Sequence, residues 1–296
     1  MRILVTGASG QVATALAEGA RLRREIDLLA LGRPALDLER PIETEAAIIA
    51  ARPDLVVNAA AYTTVDKAES EPERAFAINR DGAAAVARAT ATLAIPLIHL
   101  STDYVFDGAK PTPYVETDPT NPLSVYGRSK RDGEESVRAT HPASLILRTS
   151  WVFSATGQNF VRTMLRLAET RSEISVVADQ IGRPTPADDL AEAVLGVAAN
   201  LLAERAEPAL RGIFHVGGTG DAISWAGLAE AIFAERVRRG GSAVGVRTIG
   251  TADYPTPARR PANSRLSTGR ITRDYGISPR PWRDAVKDVV AELSRT

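Results

Sequence analysis

The chain has 296 residues, enough to bury one large core or two modest ones. Its 36 Lys and Arg balance 36 Asp and Glu, so no basic excess points to a nucleic-acid backbone as partner. With 44% hydrophobic residues, 24% charged residues and no cysteine, it reads as a folded globular chain without disulfides, thiolate metal sites or a cysteine nucleophile.

Arg2–Thr6 reads as a buried strand, and Val12–Leu22 has apolar residues at helical spacing. Asp27–Leu31 is a second strand, Glu43–Ala51 a helix ending near Pro53, and Asp54–Asn58 a third strand. A long alanine-rich helix over Ala75–Leu93 precedes a strand at Pro96–Ser101. Val125–Ala139 is a helix and Ser144–Thr149 a strand. Alternating helices and near-continuous apolar strands predict an α/β fold, a Rossmann-type doubly wound parallel sheet. Beyond Thr149 the regularity weakens. Asn159–Thr170, Asp188–Glu204, Trp225–Arg238 and Asp284–Leu293 read as helices, Glu173–Ala178 and Gly212–Val216 as strands, and Tyr254–Arg265 as a loop. Residues 1–150 are expected to form one domain, with later segments, about 173–216, returning to it. Residues 151–296 are expected to be mainly a smaller, non-contiguous α/β region.

No metal is expected, since His99, His141 and His215 lie far apart in sequence. Met1-Arg2 leads straight into Ile3-Leu4-Val5 without a signal-peptide pattern, and no run reaches the length of a membrane helix. The expected setting is the cytoplasm, with neither membrane nor nucleic acid as partner.

Thr6-Gly7-Ala8-Ser9-Gly10-Gln11-Val12-Ala13 joins the first strand to the first helix. Gly7 permits a tight turn, Gly10 lets the backbone approach a pyrophosphate, and Ala13 lets helix and strand pack closely. The helix N-terminus then faces the phosphates. This makes 1–150 an NAD(P)-binding domain and 151–296 a substrate-binding region. The acidic residue that would bind the ribose diol of NAD is absent from Ala30-Leu31-Gly32-Arg33. Arg33 suits the 2′-phosphate of NADPH, with NADH as the other option and a solvated surface arginine as the plain alternative. Asp37 and Leu38 follow as a pair that could flank the adenine.

Tyr126-Gly127-Arg128-Ser129-Lys130 puts tyrosine and lysine on one face of a helix. An ammonium there favours the phenolate and should bring the phenol closer to working pH. Alone, this spacing is a common chance match, and an ordinary amphipathic helix face is the better reading of it. It gains weight from Leu100-Ser101-Thr102-Asp103 at the end of the fourth strand, where a hydroxyl could polarise a carbonyl.

Together these pieces resemble the extended short-chain dehydrogenase/reductases and, within them, the dTDP-4-dehydrorhamnose reductases. Val57 to Glu69, Ser101 to Gly108, Arg148 to Phe153 and Tyr254 to Leu266 are similar to stretches of that family in the same order. The resemblance implies NAD(P)H-dependent reduction of the 4-keto group of dTDP-4-dehydro-L-rhamnose. Its product, dTDP-L-rhamnose, is activated rhamnose for cell-surface polysaccharide. It implies Tyr126 as proton donor, Lys130 as its tuner and ribose ligand, and Thr102 as the hydroxyl on the keto oxygen. Gly10, Gln11 and Val12 would hold the cofactor diphosphate, Asp37 and Leu38 the adenine, and Ala60, Ala61 and Thr63 the nicotinamide half. Thr102, Asp103, Tyr104 and Trp151 would face the sugar, and Asn159-Phe160 its further edge. The plain alternatives are a core aromatic for Trp151 and a cap or turn residue for Asp103. Arg260 and Arg265 are candidates for the nucleotide diphosphate, or are loop charges. Ala15 stands where some members carry a metal-bridging carboxylate, so magnesium-linked dimerisation is not carried over, and a monomer or homodimer is expected. A reductase of another nucleotide 4-keto-6-deoxy sugar and a non-catalytic NADP-binding regulatory subunit are the competing readings.

Overall fold

The computed structural model describes residues 1–204 and 207–294; positions 205, 206, 295 and 296, which fall within the expected 173–216 and 151–296 segments, lie outside them. In chain order the first half comprises β1 (Arg2–Thr6), α1 (Gln11–Arg21), β2 (Asp27–Leu31), α2 (Pro41–Ala51), β3 (Leu55–Asn58), α3 (Val65–Ala68), α4 (Pro72–Phe76), α5 (Ala83–Thr92), β4 (Leu97–Thr102), α6 (Val125–Thr140) and β5 (Leu145–Thr149). A π-helical turn over Ala77–Gly82 joins α4 to α5, so the predicted alanine-rich helix begins earlier than expected, at Pro72, and is interrupted by one wider, underwound turn.

The second half adds β6 (Val152–Phe153), α7 (Phe160–Leu167), β7 (Glu173–Val177), β8 (Ile181–Gly182), β9 (Thr185–Pro186), α8 (Ala187–Ala203), β10 (Gly212–His215), β11 (Ile223–Ser224), α9 (Trp225–Arg238), β12 (Gly245–Ile249), α10 (Gly269–Tyr275) and α11 (Trp282–Leu293). No described helix is long and apolar enough to cross a membrane.

Six strands form one parallel sheet in the order β10-β5-β4-β3-β1-β2. Alternate side chains of a strand point to opposite faces, so an apolar run on a parallel strand needs cover on both sides. Ile3 and Val5 of β1 pack with Leu16 of α1 and Leu190 and Val194 of α8. Leu4, between them, packs with Ile48 of α2, Val86 of α5 and Val137 of α6 on the other face. The strand order reverses between β1 and β3, which opens a crevice at the carboxyl ends of these strands, where open α/β sheets bind ligands.

Of residues 173–216, α8 covers the central sheet and β10 extends it, whereas β7 pairs in parallel with β12 outside it. β12 escapes sequence patterning because Arg247 and Thr248 interrupt its apolar content and only Val246 and Ile249 are partly covered. A second core gathers Phe153, Val161, Ile174, Ile232, Phe233 and Trp282.

The sheet also buries polar groups. Thr6 donates its hydroxyl to Asn58 Oδ1 at 2.6 Å, and Asn58 Nδ2 lies 2.9 Å from His99 Nδ1. His215 Nδ1 lies 3.2 Å from the Tyr114 carbonyl. Burial holds both imidazoles neutral, with the His99 pKa far below its usual value and that of His215 pushed down to about 3. A depressed histidine pKa contributes stability that is present above the unfolded value and is lost as pH falls toward the folded one. Replacing His215 by Gln should therefore shrink the loss of unfolding free energy between pH 7 and pH 5 by about 2 kcal/mol. Urea titrations of both proteins at the two pH values measure it; an unchanged difference would show that His215 takes up a proton in the folded state.

Candidate functional site

The glycine loop leaves β1 through Gly7, whose φ of 89° lies in the left-handed region and whose amide donates to the Leu31 carbonyl at 2.7 Å. Gly10 caps α1 without a side-chain hydrogen bond, and a Cβ there would meet nothing within 4 Å. The first turn of α1 carries no acidic residue. An open, uncapped helix start with a bare glycine beside it suits a diphosphate, so the residues present fit the dinucleotide.

Gln11 and Val12 begin the helix, with Val12 partly packed on the core. Gln11 Oε1 accepts hydrogen bonds from Ser154 Oγ at 3.0 Å and Asn159 Nδ2 at 2.9 Å. The loop thus binds directly to the second half of the chain. Ala60, Ala61 and Thr63 follow β3, with Ala60 against Gly7.

Arg33 is exposed at the end of β2, next to Gly32, which packs against Ala8 of the glycine loop. Asp37 closes a turn by accepting from the Glu39 amide at 3.1 Å. The Leu38 side chain is buried in the core beneath, against Gly82.

Thr102 ends β4, and α6 is pressed against the turn that follows it. A Cβ on Gly127 would lie 2.2 Å from the Tyr104 carbonyl oxygen, so only glycine lets α6 come this close. Ser124 caps the helix by accepting from the Gly127 amide at 3.1 Å, and Glu69 Oε1 accepts from the Val125 amide at 2.7 Å. From the π-helical turn, Asn79 Nδ2 donates to Ser129 Oγ at 2.9 Å and to the Tyr62 carbonyl at 3.1 Å. These contacts fix the helix face that carries Tyr126 and Lys130.

Thr102, Tyr126 and Lys130 are all buried. Lys130 Nζ donates to the Leu100 carbonyl at 2.7 Å. Burial pulls its pKa down to about 8, against the attraction of Glu134. The phenol of Tyr126 is pushed up to about 12, again chiefly by burial, with a Thr102 hydrogen bond acting the other way. The sequence suggested a phenol brought down toward neutrality by its lysine; in this desolvated site burial wins, and Tyr126 stays protonated.

Thr102 Oγ1 donates to Asp103 Oδ1 at 3.1 Å and accepts from the Tyr104 amide at 3.2 Å. The Asp103 carboxyl is fully buried, and burial raises it to about 6 against the opposing pull of the Ser264 and Thr102 hydroxyls. Tyr104 meets Tyr126 edge-on with centroids 5.5 Å apart.

Trp151 follows β5 with a φ of 50°, a strained setting for a bulky residue. Its indole stacks on Trp225 at 3.5 Å between centroids, and Phe160 tilts against Trp225 at 4.7 Å. A Cβ on Gly182 would lie 2.6 Å from the Trp151 ring. Trp225 was not anticipated, because seventy-odd residues separate it from Trp151 and its helix start gives no local sign of the pairing.

The late loop is tied down. Arg260 Nη2 pairs with Asp66 Oδ2 at 2.8 Å, and Arg265 donates to Asn263 Oδ1 at 2.8 Å and to the Pro111 carbonyl. Neither is a bare loop charge. Asp66 on α3 is a partner that sequence reading overlooked.

Residues 1–295 match the family model described as the RmlD substrate binding domain. The chain is 52% identical over 293 residues to the dTDP-4-dehydrorhamnose reductase of Sinorhizobium fredii, covering 99% of this chain and 98% of that one. It is similar to the crystal structure of a dTDP-4-dehydrorhamnose reductase from Clostridium acetobutylicum, with a TM-score of 0.91, 34% identity, and coverage of 99% and 100% of the two chains. The dTDP-4-dehydrorhamnose reductase of Bacillus anthracis in complex with NADP gives a TM-score of 0.89 at 35% identity, with coverage of 98% and 99%. Matched from end to end in sequence and in fold, the chain belongs to the RmlD substrate binding domain family.

Proposed function

We propose that this chain reduces the 4-keto group of dTDP-4-dehydro-L-rhamnose to give dTDP-L-rhamnose, the last step in forming activated rhamnose, with NADPH as the reductant. The observation that carries this reading is the joint burial of Thr102, Tyr126 and Lys130 where β4 ends, on the same rim of the parallel sheet from which the glycine loop leaves β1. Bound NADPH supplies the hydride that reaches the carbonyl carbon.

The chain's own residues do the rest. Gly7, Gly10, Gln11 and Val12 cradle the diphosphate, Asp37 and Leu38 border the adenine, and Ala60, Ala61 and Thr63 line the nicotinamide half. Thr102 offers its hydroxyl to the keto oxygen. Tyr126, held protonated by burial, gives its proton to that oxygen as negative charge develops there. The Lys130 ammonium then stabilises the phenolate and holds the nicotinamide ribose. Asp103, Tyr104 and Trp151 bound the sugar. Arg260 reaches the nucleotide diphosphate while sharing the Asp66 carboxylate.

Oxidation of NADPH by the purified chain, with and without the keto sugar, tests the reading. Absence of turnover would favour the non-catalytic regulatory subunit. Tyr126→Phe keeps the ring and loses the proton, so kcat should fall ~10²–10⁴-fold while NADPH binding by titration changes little. A variant with near-wild-type kcat would remove Tyr126 from the role of acid.

Trp151→Ala should raise the KM for the sugar nucleotide roughly tenfold and leave the KM for NADPH unchanged. An unaltered sugar KM in the folded variant would return Trp151 to the core.

Cofactor choice follows from Arg33. A charge-assisted hydrogen bond is worth roughly 1.5–3 kcal/mol, and solvent screening at this exposed position favours the low end. NADPH should therefore be preferred by about tenfold in kcat/KM, and Arg33→Ala should erode the preference through KM. Equal kcat/KM for NADH and NADPH in the unaltered protein would leave Arg33 a surface charge.

A further inference from the structure

Glu134 lies one helical turn beyond Lys130 on α6, and its side chain is only 4% exposed. Arg148 of β5, 3% exposed, grips it at both oxygens, with Nε 2.9 Å from Oε1 and Nη2 2.6 Å from Oε2. Ser101, the residue before Thr102 on β4, donates its hydroxyl to Oε1 at 2.5 Å. One buried carboxylate thus ties together the helix that carries Tyr126 and Lys130, the strand that carries Thr102, and the strand beside it.

A buried ion pair is a poor way to gain stability, since apolar residues of similar volume do as well or better. Its position suggests another use. Apart from the Leu100 carbonyl, which accepts from the ammonium at 2.7 Å, the other groups around Lys130 do little to hold a charge there. From β4 it meets His99, which is neutral, and from β5 the cation Arg148 lies across Glu134. On its own helix Tyr126 is protonated. Asp103 lies beyond Thr102, bonded to the Thr102 hydroxyl. From the π-helical turn, Asn79 meets Ser129, while Arg80 is paired with Asp81 at the surface. Asp132 on the outer side of α6 is paired with Arg131. The carboxylate whose attraction acts on Lys130 is Glu134.

We propose that Glu134, clamped by Ser101 and Arg148, is the positioning residue of the proton-transfer site: it fixes α6 against β4 and β5 so that Tyr126 meets Thr102, and it keeps the buried Lys130 ammonium charged. This deepens the reductase reading and, for its catalytic consequence, rests on it.

The chain has four lysines, Lys67, Lys110, Lys130 and Lys287, so isotopically labelled lysine lets each ammonium be titrated separately by NMR. Lys130 is assigned from the resonance lost in Lys130→Met. The proteins compared are the unaltered chain, Glu134→Gln, and the double variant Glu134→Gln with Arg148→Met. The double variant leaves no unpaired guanidinium in the interior, so it decides the matter if the single variant does not fold. Lys130 should titrate near 8 in the unaltered chain, roughly one unit lower in Glu134→Gln, and lower by a smaller step in the double variant, where the Arg148 cation beyond the carboxylate is lost with it. The alkaline limb of the kcat profile should move down with it, costing about fivefold in kcat at pH 8 in Glu134→Gln.

A merely structural clamp would lower the thermal midpoint and leave the Lys130 titration in place; that result in the folded double variant overturns the proposal. Turnover of the keto sugar by the unaltered chain with an unmoved titration sinks the proposal alone. A shifted titration in a chain that does not reduce the keto sugar sinks the reductase reading and leaves the electrostatic role of Glu134 standing.

Discussion

Parallel strands all point the same way, so each crossover must return the chain to the same edge of the sheet before the next strand begins. Here that constraint gathers the ends of β1, β3, β4 and β5 along one rim. Gly7, Ala60, Thr102 and Trp151 each follow or end one of these strands, so they come to neighbouring positions although up to 144 residues separate them. The rim needs no further instruction to exist. What the sequence must add is the fine setting of side chains upon it, and that is where glycine, buried charge and stacked aromatics are concentrated.

Two kinds of force do this setting. Close approach is the first. Gly127 brings α6 against the backbone after β4, and Gly182 brings the second half against Trp151. Desolvation is the second. It keeps Tyr126 in its acid form, lowers Lys130 and raises Asp103, so three groups brought together from the end of β4 and from α6 are shifted in the directions that disfavour charge. Proton delivery to a carbonyl oxygen needs an acid that is still protonated when the substrate arrives, and a buried phenol meets that requirement.

Much of this was legible in the chain, because it rests on local pattern. The strand–glycine–helix join at Thr6 to Ala13 and the Tyr126–Lys130 spacing each lie within a dozen residues, and the parallel strands announce themselves as short apolar runs. The late loop was readable as a loop from its composition, but its place at the site, like that of the stretch after β3, was readable through family likeness alone. What was not legible depends on partners far apart in sequence. Glu134 and Arg148 look like ordinary surface charges until β5 is laid beside β4. Trp225 looks like any helix-opening aromatic until it stacks on Trp151. β12 has too polar a face to stand out before its pairing with β7 is known. The π-helical turn has no apolar signature, since Ala77–Gly82 continues the helical spacing on both sides. The effect of Lys130 on Tyr126 was misjudged for a related reason: spacing shows that two groups meet, and only the surrounding atoms show how dry their meeting place is.

Gln11 belongs to the glycine loop, yet its side-chain oxygen receives both Ser154 and Asn159, and Asn159 caps α7 by accepting from the Arg162 amide at 3.1 Å. Phe160 follows directly and leans on Trp225, which in turn lies against Trp151. One amide therefore stands between the glycine loop and the stacked aromatics. Moving the Gln11 side chain would release both Ser154 and Asn159, and with Asn159 the start of α7 that seats Phe160 on Trp225.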